Sequence, residues 1–489
     1  MGAALTAVLP RWRLGKDCDE AEVSLSTLPN EVLLLVLEYL TPQELLLVRA
    51  VCRHWRDLAL SEPLWRRQEI VLGMGRHFTP CWRLILASAP CARKVWLSGR
   101  WAAHLIDVDG MQCALHTLDL RDLEELGSEH IRKLAELVAK QAAIGGLRGL
   151  RLDLSPRDSA EDFTPLYEAI GQCAIEKMTV RMWDDGLPRC SPQSWVPRRQ
   201  NTIRKLKYSG GALWPNPWLQ SLLQHHAGSL ERLLLFNPSP EFPCSLLASC
   251  ANLRVLECPL LLDMDRLQQC ARLEKLHLDI RVKGENFSAL VRSAASLCRA
   301  AAGLRELSFY VHTETDAKPV VETAVRAVKD IVDGAASSGR AALTSLTVTT
   351  GRDCLGGAWI GAVLRALSGL PCLENLVLNT SDLPPARVLR EISATSAPAL
   401  RSLRLLWFLE KHEEHMTEVR ALLARHPALH VTGLMLAGRD RGGVWDELAR
   451  ELLLPLDCRL NLYAHRQDEH CSLHAVTTLS DSWFHIATT

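Results

Sequence analysis

Apolar residues recur along most of the chain in a six-residue core, Leu-x-x-Leu-x-Leu with aliphatic or aromatic substitutes. The core begins at Ala92 (then Val95, Leu97), Leu115 (Leu118, Leu120), Leu147 (Leu150, Leu152), Ile175 (Met178, Val180), Ile203 (Leu206, Tyr208) and Leu230 (Leu233, Leu235). Further copies begin at Leu253 (Leu256, Cys258), Leu273 (Leu276, Leu278), Leu304 (Leu307, Phe309), Leu343 (Leu346, Val348), Leu373 (Leu376, Leu378), Leu400 (Leu403, Leu405) and Val431 (Leu434, Leu436). Positions 4 and 6 differ by two, so they point to one side of a short strand, and position 1 covers the turn into it. Between the cores lie stretches of helical spacing, such as Ser128 to Ala143 with Ile131, Leu134, Leu137 and Val138, and Glu285 to Ala301 with Phe287, Leu290, Val291 and Leu297. Strand and helix therefore alternate along the chain.

From Ala92 to Val431 there are twelve steps over 339 residues, a mean of about 28. That lies inside the roughly 20 to 29 residue period of leucine-rich repeats. The steps are irregular, from twenty residues (Leu253 to Leu273) to thirty-nine (Leu304 to Leu343), and Asn follows the third apolar position only sporadically, as Asn237 and Asn379. The repeats are degenerate. The expected fold is an α/β solenoid, parallel strands on its concave face and helices on its convex face. A doubly wound sheet alternates the same elements, but a shared Leu signature across so many strands favours the solenoid. Five prolines among Trp183 to Trp218 predict loops decorating one edge. The segment after Leu436, with Trp445 and Trp483, reads as a cap on the last repeat.

Before the repeats, from Leu28, the chain reads LPNEVLLLVLEYLTPQELLLVRAVCRHWRDLALSEPLWRR. Leu28-Pro29-Asn30-Glu31 opens an apolar helix ending near Leu40, and Thr41-Pro42-Gln43-Glu44 is a capped start with Pro in the first turn. A third helix carries Val48, Val51, Cys52, Trp55 and Leu58 as one stripe. About 40 residues cannot bury three such helices alone, so apolar surface is left for a partner. The segment closely resembles the F-box, matching at Leu28, Pro29, Glu31, Val32, Leu40, Leu45, Val51, Cys52, Trp55, Leu58 and Trp65. The resemblance implies that these residues bind a Skp-type adaptor and, through it, the cullin and RING subunit of an SCF (Skp, cullin, F-box) ubiquitin ligase. An F-box followed by leucine-rich repeats is the layout of client-recruiting receptors, non-catalytic subunits without a cofactor. A repeat scaffold that binds partners without ubiquitin transfer is the alternative. The expected division is a flexible segment 1–24, an F-box 25–70, linker helices 71–91, repeats 92–436 and a cap 437–489.

The chain's 489 residues carry 56 Lys and Arg against 56 Asp and Glu, and 48% are apolar, which argues against a disordered tail protein and a globally basic nucleic-acid binder. No apolar run approaches the roughly 20 residues of a membrane span; the longest, around Val32 to Leu37, stops at Glu38. A soluble chain is expected. The first 24 residues place Arg11, Arg13 and Lys16 after the short apolar stretch, not before it, unlike a secretory signal. Met1-Gly2-Ala3-Ala4-Leu5-Thr6 fits the short N-myristoylation pattern, which has many chance matches, and acylation of Gly2 is not expected. The 16 cysteines are scattered, so they read as reduced residues of a cytoplasmic or nuclear protein.

Core positions 3 and 5 alternate against the buried leucines and so line the exposed sheet face. With Arg121 and Arg181 at position 7, they place Arg151, Lys177, Lys205, Lys207, Arg232 and Lys275 there, a local cationic cluster in a chain of no net charge. Such a face suits an acidic or phosphorylated client segment; solvated surface charge is the plainer reading. Trp195, Trp214 and Trp218 form the second candidate anchor. Three further signals carry no chemistry. Gly73-Met74-Gly75-Arg76-His77-Phe78 has Phe where a dinucleotide loop needs its third Gly. His412 and His415 are three apart rather than the four of a zincin helix, and His465, His470, Cys471 and His474 lack a paired ligand set. No metal and no catalytic residue is expected.

Overall fold

The computed structural model describes residues 28–72, 81–98, 110–121, 123, 127–154, 163–182, 201–210, 217–236, 238, 242–313, 317–337, 342–350, 359–379, 385–407, 412–426, 428–435, 460–464 and 483–485. The Gly2 pattern, the Gly73 to Phe78 loop, Trp195, Trp214 and the His465 to His474 group lie outside them. The chain opens with four short helices, α1 (Asn30–Leu37), α2 (Pro42–Val48), α3 (Arg53–Ala59) and α4 (Glu62–Trp65). A sheet follows at once: β1 (Glu69–Leu72), β2 (Cys91–Ser98), β3 (Ala114–Arg121), β4 (Gly149–Leu154), β5 (Lys177–Met182), β6 (Lys205–Ser209), β7 (Arg232–Phe236) and β8 (Val255–Pro259). It continues through β9 (Lys275–Arg281), β10 (Glu306–His312), β11 (Ser345–Thr350), β12 (Asn375–Asn379), β13 (Ser402–Trp407) and β14 (His430–Met435). These fourteen strands are all parallel, and their order in the sheet is their order in the sequence. Each return therefore advances the chain by one strand in the same direction, the topology of a one-way coil.

Helices fill most of the returns, among them α5 (Trp82–Ser88), α6 (Ser128–Ile144), α7 (Thr164–Gln172), α8 (Pro217–His226) and α9 (Cys244–Ala248). Later come α10 (Phe287–Ala300), α11 (Lys318–Ala336), α12 (Ile360–Ala366), α13 (Pro385–Glu391) and α14 (His412–Arg425), which carries His412 and His415. Helix α6 buries Ile131, Leu134, Leu137 and Val138, and α10 buries Phe287, Leu290, Val291 and Leu297, the stripes expected from their spacing. Strands bury alternate residues, as in β6 and β7, and those residues join the helical stripes in one continuous core from Leu37 to Val431. Apolar groups thus leave water on one face of the sheet, while the other stays open to charge.

Four expectations are corrected. The interval 71–91 is not only helical, because β1 begins before it and pairs Ile70 with Val95, adding a strand ahead of the first core recognised by its leucines. The third helix does not run back to Val48: Val48 ends α2, and Cys52 breaks the path in extended backbone (φ −158°), its Sγ accepting the Trp55 amide at 3.5 Å. The last core does not begin at Val431, since Leu403 pairs with Val431, and buried Leu429 supplies the turn residue of a repeat one place shorter. Trp218 is no surface anchor; it is buried on α8 with its ring 5.0 Å from Tyr167. Beyond β14 the sheet gains β15 (Leu460–Ala464), antiparallel to it, and β16 (Trp483–His485).

Candidate functional site

Two surfaces depart from what burial and charge pairing would produce in an isolated chain. The first lies on α1 and α2. Helix α1 is apolar on both sides, and Leu33 and Leu37 turn inward, which leaves Val32, Leu35, Val36 and Tyr39 outward at positions i, i+3, i+4 and i+7. Tyr39 is 90% exposed, Leu47 on α2 is 70%, Leu35 59% and Val51 51%. An apolar stripe of this kind marks a contact surface. Its scaffold is firm: Thr41 and Glu44 form a capping box at α2, the Thr41 amide donating to Glu44 Oε2 at 2.8 Å, and the buried Trp65 indole donates to the Ala59 carbonyl at 2.7 Å. Arg67 pairs with Glu38 at 2.6 Å and Gln68 donates to the Leu40 carbonyl, joining the helices to β1.

Of the residues singled out by the F-box resemblance, Pro29, Glu31, Val32, Val51 and Cys52 are exposed, and Leu28, Leu40, Trp55 and Leu58 are half-buried. Leu45 and Trp65 are fully buried, so in this fold they brace the helices and touch no partner directly. Leu35, Val36, Tyr39 and Leu47 were missed. Their signal was the unbroken run Val32 to Leu37, which is apolar around the whole helix, although so small a unit buries only one side of it.

The second surface is the open face of the sheet. At β2 to β4 it closes on itself. Asp119 is fully buried, with Lys94 Nζ at 2.9 Å, Arg121 at 3.1 Å and Arg151 at 3.5 Å, and Arg151 also holds Asp153 at 2.9 Å. The Trp96 ring carries Lys94 and Arg121 at 3.9 and 3.8 Å. Burial would raise the Asp119 carboxyl, but the hydrogen bonds and charges of Arg121 and Lys94 outweigh it and hold the group below the usual carboxylate range. Arg151 is thereby neutralised, and Lys275 pairs with Glu306, so both cations are compensated within the chain. Lys177, Lys205 and Arg232 remain exposed and stand side by side on β5, β6 and β7, while Lys207 and Arg181 are half-buried.

A row one residue earlier shows the compensated arrangement. Core position 2 alternates in sign through Arg148, Glu176, Arg204, Glu231, Arg254, Glu274 and Arg305. Neighbours pair at 3.8 Å (Arg148 with Glu176), 3.7 Å (Arg204 with Glu231) and 2.9 Å (Arg254 with Glu274).

Among the described residues no group of three His, Cys, Asp or Glu is placed to hold a metal ion, and no helix is long and apolar enough to cross a membrane. The eleven described cysteines are free; burial pushes the Cys113, Cys244, Cys250 and Cys298 thiols up to about 12, which suppresses the reactive thiolate. No curated protein matches the chain. Residues 25–70 match the F-box-like family, so the helices α1 to α4, with their exposed apolar stripe, constitute an F-box-like domain.

Proposed function

We propose that this chain is the client-recruiting subunit of an SCF ubiquitin ligase. The stripe of Val32, Leu35, Val36, Tyr39 and Leu47 docks on a Skp-type adaptor, which leads through the cullin to the RING subunit. The sheet over 92–436, read as degenerate leucine-rich repeats closed by a cap over 437–489, holds the client. The match of 25–70 to the F-box-like family, falling on the segment that among the described residues has the most exposed large apolar side chains, carries this reading. The agreement of twelve leucine cores with the sheet register supports the repeat assignment. F-box proteins are generally non-catalytic, and the chain's contribution is proximity and orientation of client lysines. A cytoplasmic or nuclear location belongs to the proposal, and seven buried free thiols accord with it.

The test is affinity purification of the tagged chain under proteasome inhibition, wild type beside a Leu35→Asp, Tyr39→Asp variant. Adaptor and cullin recovered only with wild type, with ubiquitinated proteins accumulating, is the expected result. Other partners recovered without the adaptor from both forms would make the chain a repeat scaffold.

A further inference from the structure

The row formed by Lys177, Lys205 and Arg232 breaks the rule that the rest of the sheet obeys. In a parallel sheet these residues sit about 4.8 Å apart strand to strand, and like charges at that spacing repel. At position 2 the same strands carry Glu176, Arg204 and Glu231, whose signs alternate. In the same row farther along, Lys275 faces Glu306, and at β2 to β4 three cations surround Asp119. Between these compensated regions the three cations are exposed and form no ion pair among the described residues; the nearest acid in register, Glu257, stands opposite Leu234 rather than Arg232. Beside the row is an apolar shelf. Leu234 and Phe236 follow Arg232 on the same face of β7, both half-buried, and Lys207 Nζ lies 4.8 Å from the Phe236 ring centre.

We infer that this patch binds an extended acidic segment of the client, two carboxylates on the row of Lys177, Lys205 and Arg232 and an apolar side chain on Leu234 and Phe236. The inference rests on the reading of the sheet as the client-holding surface. Acids at i and i+2 of an extended peptide are about 6.6 Å apart, which suits a row about 10 Å long. A single phosphate instead favours cations converging on one point, with bidentate Arg, and this row is linear with one Arg. A nucleic-acid track would need continued positive charge, and this row ends at Gly149 on one side and Val255 on the other.

The experiment uses the full chain and fluorescence anisotropy of a labelled peptide containing Glu-Ser-Glu-Ser-Leu. Comparison probes carry Gln for Glu, one phosphoserine in a Gln background, or oligouridine RNA. Wild type should bind the Glu peptide at least tenfold tighter than each of these, and added salt should weaken binding. Lys205→Glu with Arg232→Glu should reduce affinity at least tenfold, whereas Lys275→Gln should change it less than twofold. Lys205→Glu alone places an acid between two cations, so its melting temperature should be unchanged or higher, separating lost binding from lost fold. Equal binding of Glu and Gln peptides, indifference to the double reversal, or tighter binding of phosphopeptide or RNA overturns the inference. Adaptor pull-down on the same preparations separates the two readings: adaptor kept with no peptide binding fails only the patch, and adaptor lost with peptide bound fails only the receptor.

Discussion

The F-box-like domain and the sheet depart from the inside-outside rule in opposite senses. The small domain leaves apolar side chains in water, Tyr39 and Leu47 foremost, whereas the sheet and its helices bury polar ones, including Asp119, Gln141, His226 and His426. These four buried polar groups have partners inside the chain. Gln141 accepts from the Leu115 amide at 2.8 Å and donates to the Cys113 carbonyl at 3.0 Å; His226 Nδ1 accepts from the Thr202 amide at 3.2 Å; His426 Nε2 meets the Ala397 carbonyl at 3.1 Å. The exposed apolar groups have none. The difference separates two kinds of importance: a buried polar residue is required for the fold, and an exposed apolar one is required for something outside it.

That separation can be broken by substitution. Leu35→Asp with Tyr39→Asp should weaken adaptor binding at least about 100-fold, since each lost apolar contact is worth about 1.5–3 kcal/mol, while thermal unfolding stays unchanged because both side chains are exposed. Interferometry against immobilised adaptor, with a melting curve beside it, checks both halves.

Asp119→Ala should do the reverse. It leaves Lys94, Arg121 and Arg151 crowded without their shared anion, at a cost of about 3 kcal/mol in urea unfolding, with adaptor binding retained in the folded fraction.

His226 sharpens the contrast through pH. Burial, with His225 beside it, pushes its imidazole down to about 4. A lowered histidine value means that the unfolded chain takes up the proton first, so this stability is complete above about pH 6.5 and is lost as pH falls toward 4, by about 1.4 kcal/mol per pH unit. In His226→Asn that slope should flatten, as followed by urea midpoints across the range. The smallest effect belongs to the exposed position 2 row: Arg254→Ala should cost less than about 1 kcal/mol in the same assay, because solvent screens its pair with Glu274.

Legibility from sequence followed the strength of the local pattern. The leucine cores predicted the register correctly from Ala92 to Leu400, because a one-residue slip would turn every leucine into water. Strand β1 escaped because Glu69-Ile70-Val71-Leu72 has no leucine at core position 1, which falls on Arg67. The shortened last repeat escaped because Val431, Leu434 and Leu436 imitate a core three places late.

The F-box pattern named the domain but mixed its inward and outward residues, since a motif records both and only packing sorts them. The cationic face was legible as a composition of rows. That Arg151 and Lys275 are neutralised while Lys177, Lys205 and Arg232 are not depended on which strands became neighbours.

By itself the sequence determined what is local or periodic: alternation of strand and helix, the cap at Thr41, the face each leucine of the repeated cores takes, and the presence of an F-box-like segment. Only the tertiary structure decided which of two apolar faces of α1 stays in water and which charges find partners. Periodicity is set within a few residues by backbone geometry, whereas burial and ion pairing depend on side chains brought together from distant strands, as Lys275 and Glu306 are.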